Sequence, residues 1–122
     1  EYLLSKKVNT SVIGIPSTVD GNVAHPMLET TIGFDTASKV YSNLIGNILT
    51  DCASNIKYWY FIRLMGRSPS HLILECALQT HPNYVIISED VADKKQNLED
   101  IVNEICDMVI ERSNNKKNYG TI

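Results

Sequence analysis

The sequence predicts an α/β fold, a three-layer Rossmann-like parallel sheet with helices on both faces. Three observations carry that prediction. Short apolar runs alternate with longer stretches of helical spacing, strand then helix three times over. The run from Lys57 to Leu64 has apolar residues at consecutive positions, as in a strand covered on both sides. The connections between runs are long enough for right-handed helical crossovers.

Taken in order, Ser11 to Ile15 is β-branched and apolar and is closed by Pro16, which predicts a buried strand delivering the chain into a loop. From Phe34 to Cys52, apolar residues fall at Phe34, Ala37, Val40, Tyr41, Leu44, Ile45, Ile48, Leu49 and Cys52, one face of an α-helix. Asp35 and Thr36 stand at its entrance, where short polar side chains cap free N–H groups. Lys57 to Leu64 is the second strand, with Met65-Gly66-Arg67 at its carboxyl end. Ser68-Pro69 offers an N-cap and a first-turn proline for a helix striped by Leu72, Ile73, Cys76 and Ala77, stopping near His81-Pro82. Tyr84 to Ser88 reads as a third strand. Asn97 to Arg112 reads as a third helix, with Leu98, Ile101, Val102, Ile105 and Val109 on one face and Glu99 and Asp100 in its first turn. Ser113 to Tyr119 is a polar exit loop, and a further strand begins at Thr121-Ile122.

Composition narrows the function. With 122 residues and 43% hydrophobic content the chain can bury a core, and no segment is long and apolar enough to span a bilayer. A net charge of −3 argues against nucleic acid or anionic membrane as partners, since both are bound by neutralising phosphates with basic groups. Cys52, Cys76 and Cys106 are three and widely spaced, which fits reduced, packed thiols of a cytoplasmic protein. His25, His71 and His81 show no metal-ligand spacing with each other or with the cysteines, so no zinc site is expected. The chain starts at Glu1 and stops as a strand begins, which reads as a fragment of a longer protein.

In parallel sheets, ligands lie beyond the carboxyl ends of the strands. The Pro16 to Asn22 loop and the Met65 to Arg67 turn both follow predicted strands and so converge on one cleft. The segment Gly14 to Asn22, followed by Gly33-Phe34-Asp35-Thr36-Ala37 and then Met65-Gly66-Arg67, resembles the sugar-phosphate half of a phosphofructokinase site. The run Tyr60 to Arg67 is similar to the long, plant-like form of that family, usually pyrophosphate-dependent.

The resemblance implies that residues 1–122 are the central part of a sugar-phosphate-binding domain. It implies phosphorylation of fructose 6-phosphate at its 1-hydroxyl, with pyrophosphate or ATP as donor. Asp20 then corresponds to the proton acceptor, with Thr18 and Val19 beside it in the substrate loop. Met65, Gly66 and Arg67 correspond to a turn contacting fructose 6-phosphate, where glycine permits close approach and arginine supplies fixed charge. Lys57 and Tyr58 correspond to a pair that reaches the sugar phosphate of a neighbouring homologous subunit or domain. Trp59 and Tyr60 read as strand aromatics in a core. Arg63 fits a structural role as readily as a functional one, and Glu89, at a strand end, could line the cleft.

The donor loop and its magnesium belong, by the same resemblance, before Glu1, and a further substrate-contacting glutamate just beyond Ile122. Two positions depart from the family pattern. Ser17 stands where pyrophosphate-dependent members carry lysine and many ATP-dependent ones glycine, and Asn22 replaces a second aspartate. These departures leave a second reading open, that of a non-catalytic regulatory or assembly domain of such an enzyme.

Overall fold

The longest apolar stripe in the sequence becomes the longest element of the structure. The computed structural model describes residues 1–23, 25–67 and 69–122. In chain order its elements are α1 (Tyr2–Ser5), β1 (Ser17–Thr18), β2 (Ile32–Gly33), α2 (Phe34–Asn55), β3 (Trp59–Tyr60), α3 (His71–Thr80), α4 (Ser88–Asp93), α5 (Leu98–Asn114) and β4 (Gly120–Thr121). The architecture is mixed α/β, with two small parallel sheets, β1–β2 and β3–β4, among the described residues.

Helix α2 follows the predicted stripe and runs three residues beyond Cys52. Its buried line is Ser38, Ser42, Ile45 and Cys52, while the predicted Val40 and Leu44 are half exposed. The two serines let α3 approach closely, and the Cys76 thiol reaches the Ser38 carbonyl at 3.7 Å. Ile45, Leu72 and Cys76 form the core, with Phe34, Tyr41, Leu49, Ile62 and Leu64 packed around them. Burial raises the Cys76 thiol above its usual range. Cys52 and Cys76 are buried free thiols, but Cys106, expected to be packed, is exposed on α5.

The entrance of α2 differs from expectation. Gly33 is its N-cap, at φ 105°, and no side chain caps it. Asp35 instead pairs with Lys39 one turn on, at 2.7 Å. Helix α3 starts at His71 behind N-cap Ser70, later than the predicted start; Ser68, the expected cap, lies outside the described residues. The helix ends as predicted, with His81 left-handed at φ 51° and its N–H on the Ala77 carbonyl at 2.8 Å. Helix α5 carries a capping box, Asn97 and Asp100 bonding each other's backbone. None of its predicted apolar face is buried, and Leu98 is 77% exposed.

Strands are shorter than the sequence suggests. Ser11 to Ile15 forms none and is exposed; pairing starts after Pro16, which has no N–H to give a ladder. The run from Lys57 to Leu64 pairs over Trp59–Tyr60, and one further bond joins the Ile62 N–H to the Ile122 carbonyl at 2.8 Å. Tyr84 to Ser88 is not a strand. The Asn83 and Tyr84 N–H groups both converge on the Thr121 carbonyl, and the Asn83 side chain accepts the Thr121 N–H at 2.9 Å, so a side chain stands in for the ladder. The expected terminal strand does form, as β4. Among the described residues no helix is long and apolar enough to cross a membrane.

Candidate functional site

The loop leaving β1 is held from three directions. The Ser17 hydroxyl donates to the Ile32 carbonyl at 3.1 Å, and the Thr31 hydroxyl to the Thr18 carbonyl at 2.8 Å. The Asp20 N–H then donates to Thr18 Oγ1 at 3.2 Å, closing a local turn. Thr31 is buried, so the donor of its bond to Thr18 is largely removed from water.

Gly21 is required where it stands. Its φ is 65°, and a Cβ there would lie 2.9 Å from two carbons of the Phe34 ring, at the start of α2. The loop is thereby pressed against the helix, and Asp20 is only 6% exposed.

The charge of Asp20 is met from 47 positions away. Arg67 Nη2 donates to Asp20 Oδ2 at 3.0 Å, joining a carboxylate side chain 6% exposed to a guanidinium side chain 83% exposed. The arginine thus caps a buried acid while presenting most of its surface to solution. Met65 is 71% exposed, and space around the Gly66 Cα is open. Val19 is 40% exposed and Thr18 half-buried, and the Arg67–Asp20 bond puts Arg67 beside this stretch of chain. A hollow of about 460 Å³ adjoins it, lined by Gly21, Val23, His25, Leu28, Glu29 and His71 among others.

Lys57 and Tyr58 are not part of this group. They follow α2, whose first residue packs against the Asp20 loop, and its 22 residues carry the chain about 33 Å away at 1.5 Å per residue. Both are exposed, the Lys57 ammonium 5.8 Å from the Tyr58 ring centre. Trp59 is half-buried under the Arg112 guanidinium, which also donates to the Tyr119 carbonyl at 3.0 Å. Tyr60 donates to Asp51 at 2.6 Å.

Of the supports of the site, sequence reasoning named only Glu89, which lies in the first turn of α4 rather than at a strand end. Thr31 carries no motif, and only its burial reveals the clasp on Thr18. Ser70, Ser88 and Glu89 form a second cluster three residues beyond Arg67. The Ser70 N–H donates to Glu89 Oε1 at 2.8 Å, Ser88 donates to Glu89 Oε2 at 3.1 Å, and the two serine hydroxyls are 3.3 Å apart. Hydrogen bonds from Ser70, side chain and backbone, pull the Glu89 carboxyl down to about 2.

The family model for phosphofructokinase covers residues 2–122. The chain belongs to the phosphofructokinase family. Over its full 122 residues it is 53% identical to a pyrophosphate–fructose 6-phosphate 1-phosphotransferase of Porphyromonas gingivalis, of which it covers 22%. It is 48% identical to subunit beta 2 of the Arabidopsis thaliana protein of that name and 48% identical to subunit alpha 2, covering 21% and 20% of them. The chain therefore spans about a fifth of the length of these curated relatives.

Phosphofructokinases generally need magnesium. Among the described residues no three His, Cys, Asp or Glu side chains gather where a metal could be held, and Asp20 contributes a single carboxylate already engaged by Arg67. These residues do not by themselves make a magnesium site.

Proposed function

We propose that the protein carrying this segment phosphorylates fructose 6-phosphate at its 1-hydroxyl, as a step of glycolysis in the cytoplasm, with pyrophosphate rather than ATP as donor. One observation carries the reading: the nearly buried Asp20 carboxylate is joined at 3.0 Å to the exposed Arg67 guanidinium. Family membership and the names of the relatives support the choice of substrate and donor. Residues 1–122 are then the central part of the sugar-phosphate-binding domain. The two parallel pairs belong, on this reading, to a larger three-layer sheet in the whole protein.

In the proposed step the sugar 1-hydroxyl attacks phosphorus. A new P–O bond forms, the bridging P–O bond of pyrophosphate breaks, and orthophosphate leaves. Asp20 takes the hydroxyl proton as the bond forms. Arg67 holds that carboxylate in place and turns its remaining donors towards sugar-phosphate oxygens. Thr18 and Val19 form the loop wall, and Met65 and Gly66 let the substrate approach the backbone.

Lys57 and Tyr58, about 33 Å along α2, serve the site of a neighbouring subunit or homologous domain on this reading. The helix is too long for one subunit to bring both groups to one sugar.

Full-length protein is assayed with fructose 6-phosphate, magnesium, and either pyrophosphate or ATP. Pyrophosphate supports turnover, and Asp20→Ala lowers kcat by about 10²–10⁴. Turnover that survives Asp20→Ala unchanged overturns the reading. The second reading, a regulatory or assembly domain, is favoured by Asn22 and by a Ser17 hydroxyl committed to Ile32. Sugar-phosphate binding without turnover with either donor supports it.

A further inference from the structure

Helix α3 begins without the usual local devices. Its N-cap Ser70 makes no side-chain bond into the helix, and no acidic residue lies in the first turn. Three positions after the cap, where a glutamate would accept the N-cap N–H, the residue is Ile73. That task falls to a residue 19 positions on: Glu89 Oε1 accepts the Ser70 N–H at 2.8 Å. Its other oxygen takes the Ser88 hydroxyl at 3.1 Å, and Ser88 stands 3.3 Å from the Ser70 hydroxyl.

Both ends of this clasp are placed by independent structure. Ser70 is 7% exposed and precedes Leu72, a core residue. Glu89 lies in the first turn of α4, where negative charge is favourable. Arg67 is three residues before Ser70 in the chain, and the ring of Pro69, the residue next to Ser70, fixes its own φ. An anchored Ser70 therefore limits, over a tether of only three residues, how far the backbone of Arg67 can stray from Asp20.

We propose that Glu89 is a positioning residue: by accepting the Ser70 N–H from across the fold it fixes the turn that aims Arg67 at Asp20 and at the sugar phosphate. This rests on the reading of Asp20 and Arg67 given above. The depressed carboxyl of Glu89 agrees with a group held as an acceptor on both oxygens.

The test uses full-length protein with Glu89→Ala and Glu89→Gln. Glutamine keeps an oxygen for the Ser70 N–H, and its amide can donate to the Ser88 hydroxyl. Expected is a roughly tenfold higher KM for fructose 6-phosphate in Glu89→Ala with kcat within about threefold of wild type, and a KM near wild type in Glu89→Gln. A parallel readout, independent of any ligand, is the rate at which an arginine-selective dicarbonyl modifies Arg67, followed by mass spectrometry. It rises severalfold in Glu89→Ala and not in Glu89→Gln.

Unchanged KM and labelling in Glu89→Ala overturn the inference, as does a loss of kcat that follows thermal stability in both variants. Wild-type turnover with neutral Glu89 variants removes this inference and leaves the function standing. Absence of wild-type turnover removes the function, and the labelling rates then decide the role of Glu89 alone.

Discussion

Gly21→Ala is predicted to damage the Asp20 loop for two separable reasons. An L-residue held at φ 65° costs about 1–2 kcal/mol. The added methyl would also sit 2.9 Å from two Phe34 ring carbons, well inside the 3.5–4.0 Å at which carbon atoms attract. Overpacking of that kind costs about 1–3 kcal/mol, so the substitution costs about 2–5 kcal/mol locally. The strain falls beside Asp20 and on the first residue of α2, so activity and stability should decline together. Gly21→Asn separates the causes, because asparagine tolerates left-handed backbone but keeps the clash. It should fall between wild type and Gly21→Ala. Gly14→Ala is the control, since nothing lies within 4 Å of its Cβ position and its φ is not positive. The assay is thermal unfolding of full-length protein with kcat measured beside it. A Gly21→Ala protein that melts and turns over like Gly14→Ala would refute the argument.

Gly66→Ala has open space around it, so its melting temperature should match wild type while KM for the sugar phosphate rises if substrate approaches that backbone. Thr31→Val keeps the shape but removes the buried 2.8 Å bond to the Thr18 carbonyl, and should lower stability by about 1–2 kcal/mol in denaturant titrations. Mixing Asp20→Ala with Lys57→Ala subunits should restore activity that neither shows alone, since some mixed assemblies hold one intact pairing; no recovery after co-refolding counts against the role of Lys57 across an interface. Glu89 titrates near 2 when folded and near 4.3 when unfolded, so its contribution is complete above the unfolded value and is lost as pH falls from about 4 to 2. Glu89→Gln should flatten the acid limb of the stability curve there. Tyr84, which donates to Glu104 and is pushed up to about 12, behaves oppositely: its contribution is complete below about pH 10 and vanishes towards 12, an alkaline loss that Tyr84→Phe should lack.

Helices were more legible than strands, for a physical reason. The Phe34 stripe repeats over five turns, and His81-Pro82 ends α3 with a left-handed residue, both local events. A strand exists only with its neighbour. Ser11 to Ile15 and Tyr84 to Ser88 have strand composition, yet the first carries no pairing and the second is bonded through Asn83 and Tyr84 to one carbonyl of β4. The site divides in the same way. Motif spacing pointed to Asp20 and Arg67, which the fold brings to 3.0 Å. No local pattern reveals that Thr31 clasps Thr18 or that Glu89 bonds the N-cap of a helix from 19 residues away. Ser38 and Ser42, polar by composition, are buried because a helix crossing needs small side chains more than apolar ones.

A tilt of helix α2 about its start, where Phe34 meets the Asp20 loop, would be magnified along its length. Over an arm of about 33 Å, a tilt of about 2° swings the Lys57 end by about 1 Å. Misplacement of that size is enough to cost a catalytic site roughly two orders of magnitude in rate. On the proposed reading, a subunit's packing between α2 and α3 sets the aim of a side chain working in its neighbour. Loosened packing around Ile45 or Cys76 would then be felt in two active sites at once, through Phe34 at the subunit's own Asp20 loop and through the far end of α2 at its neighbour's.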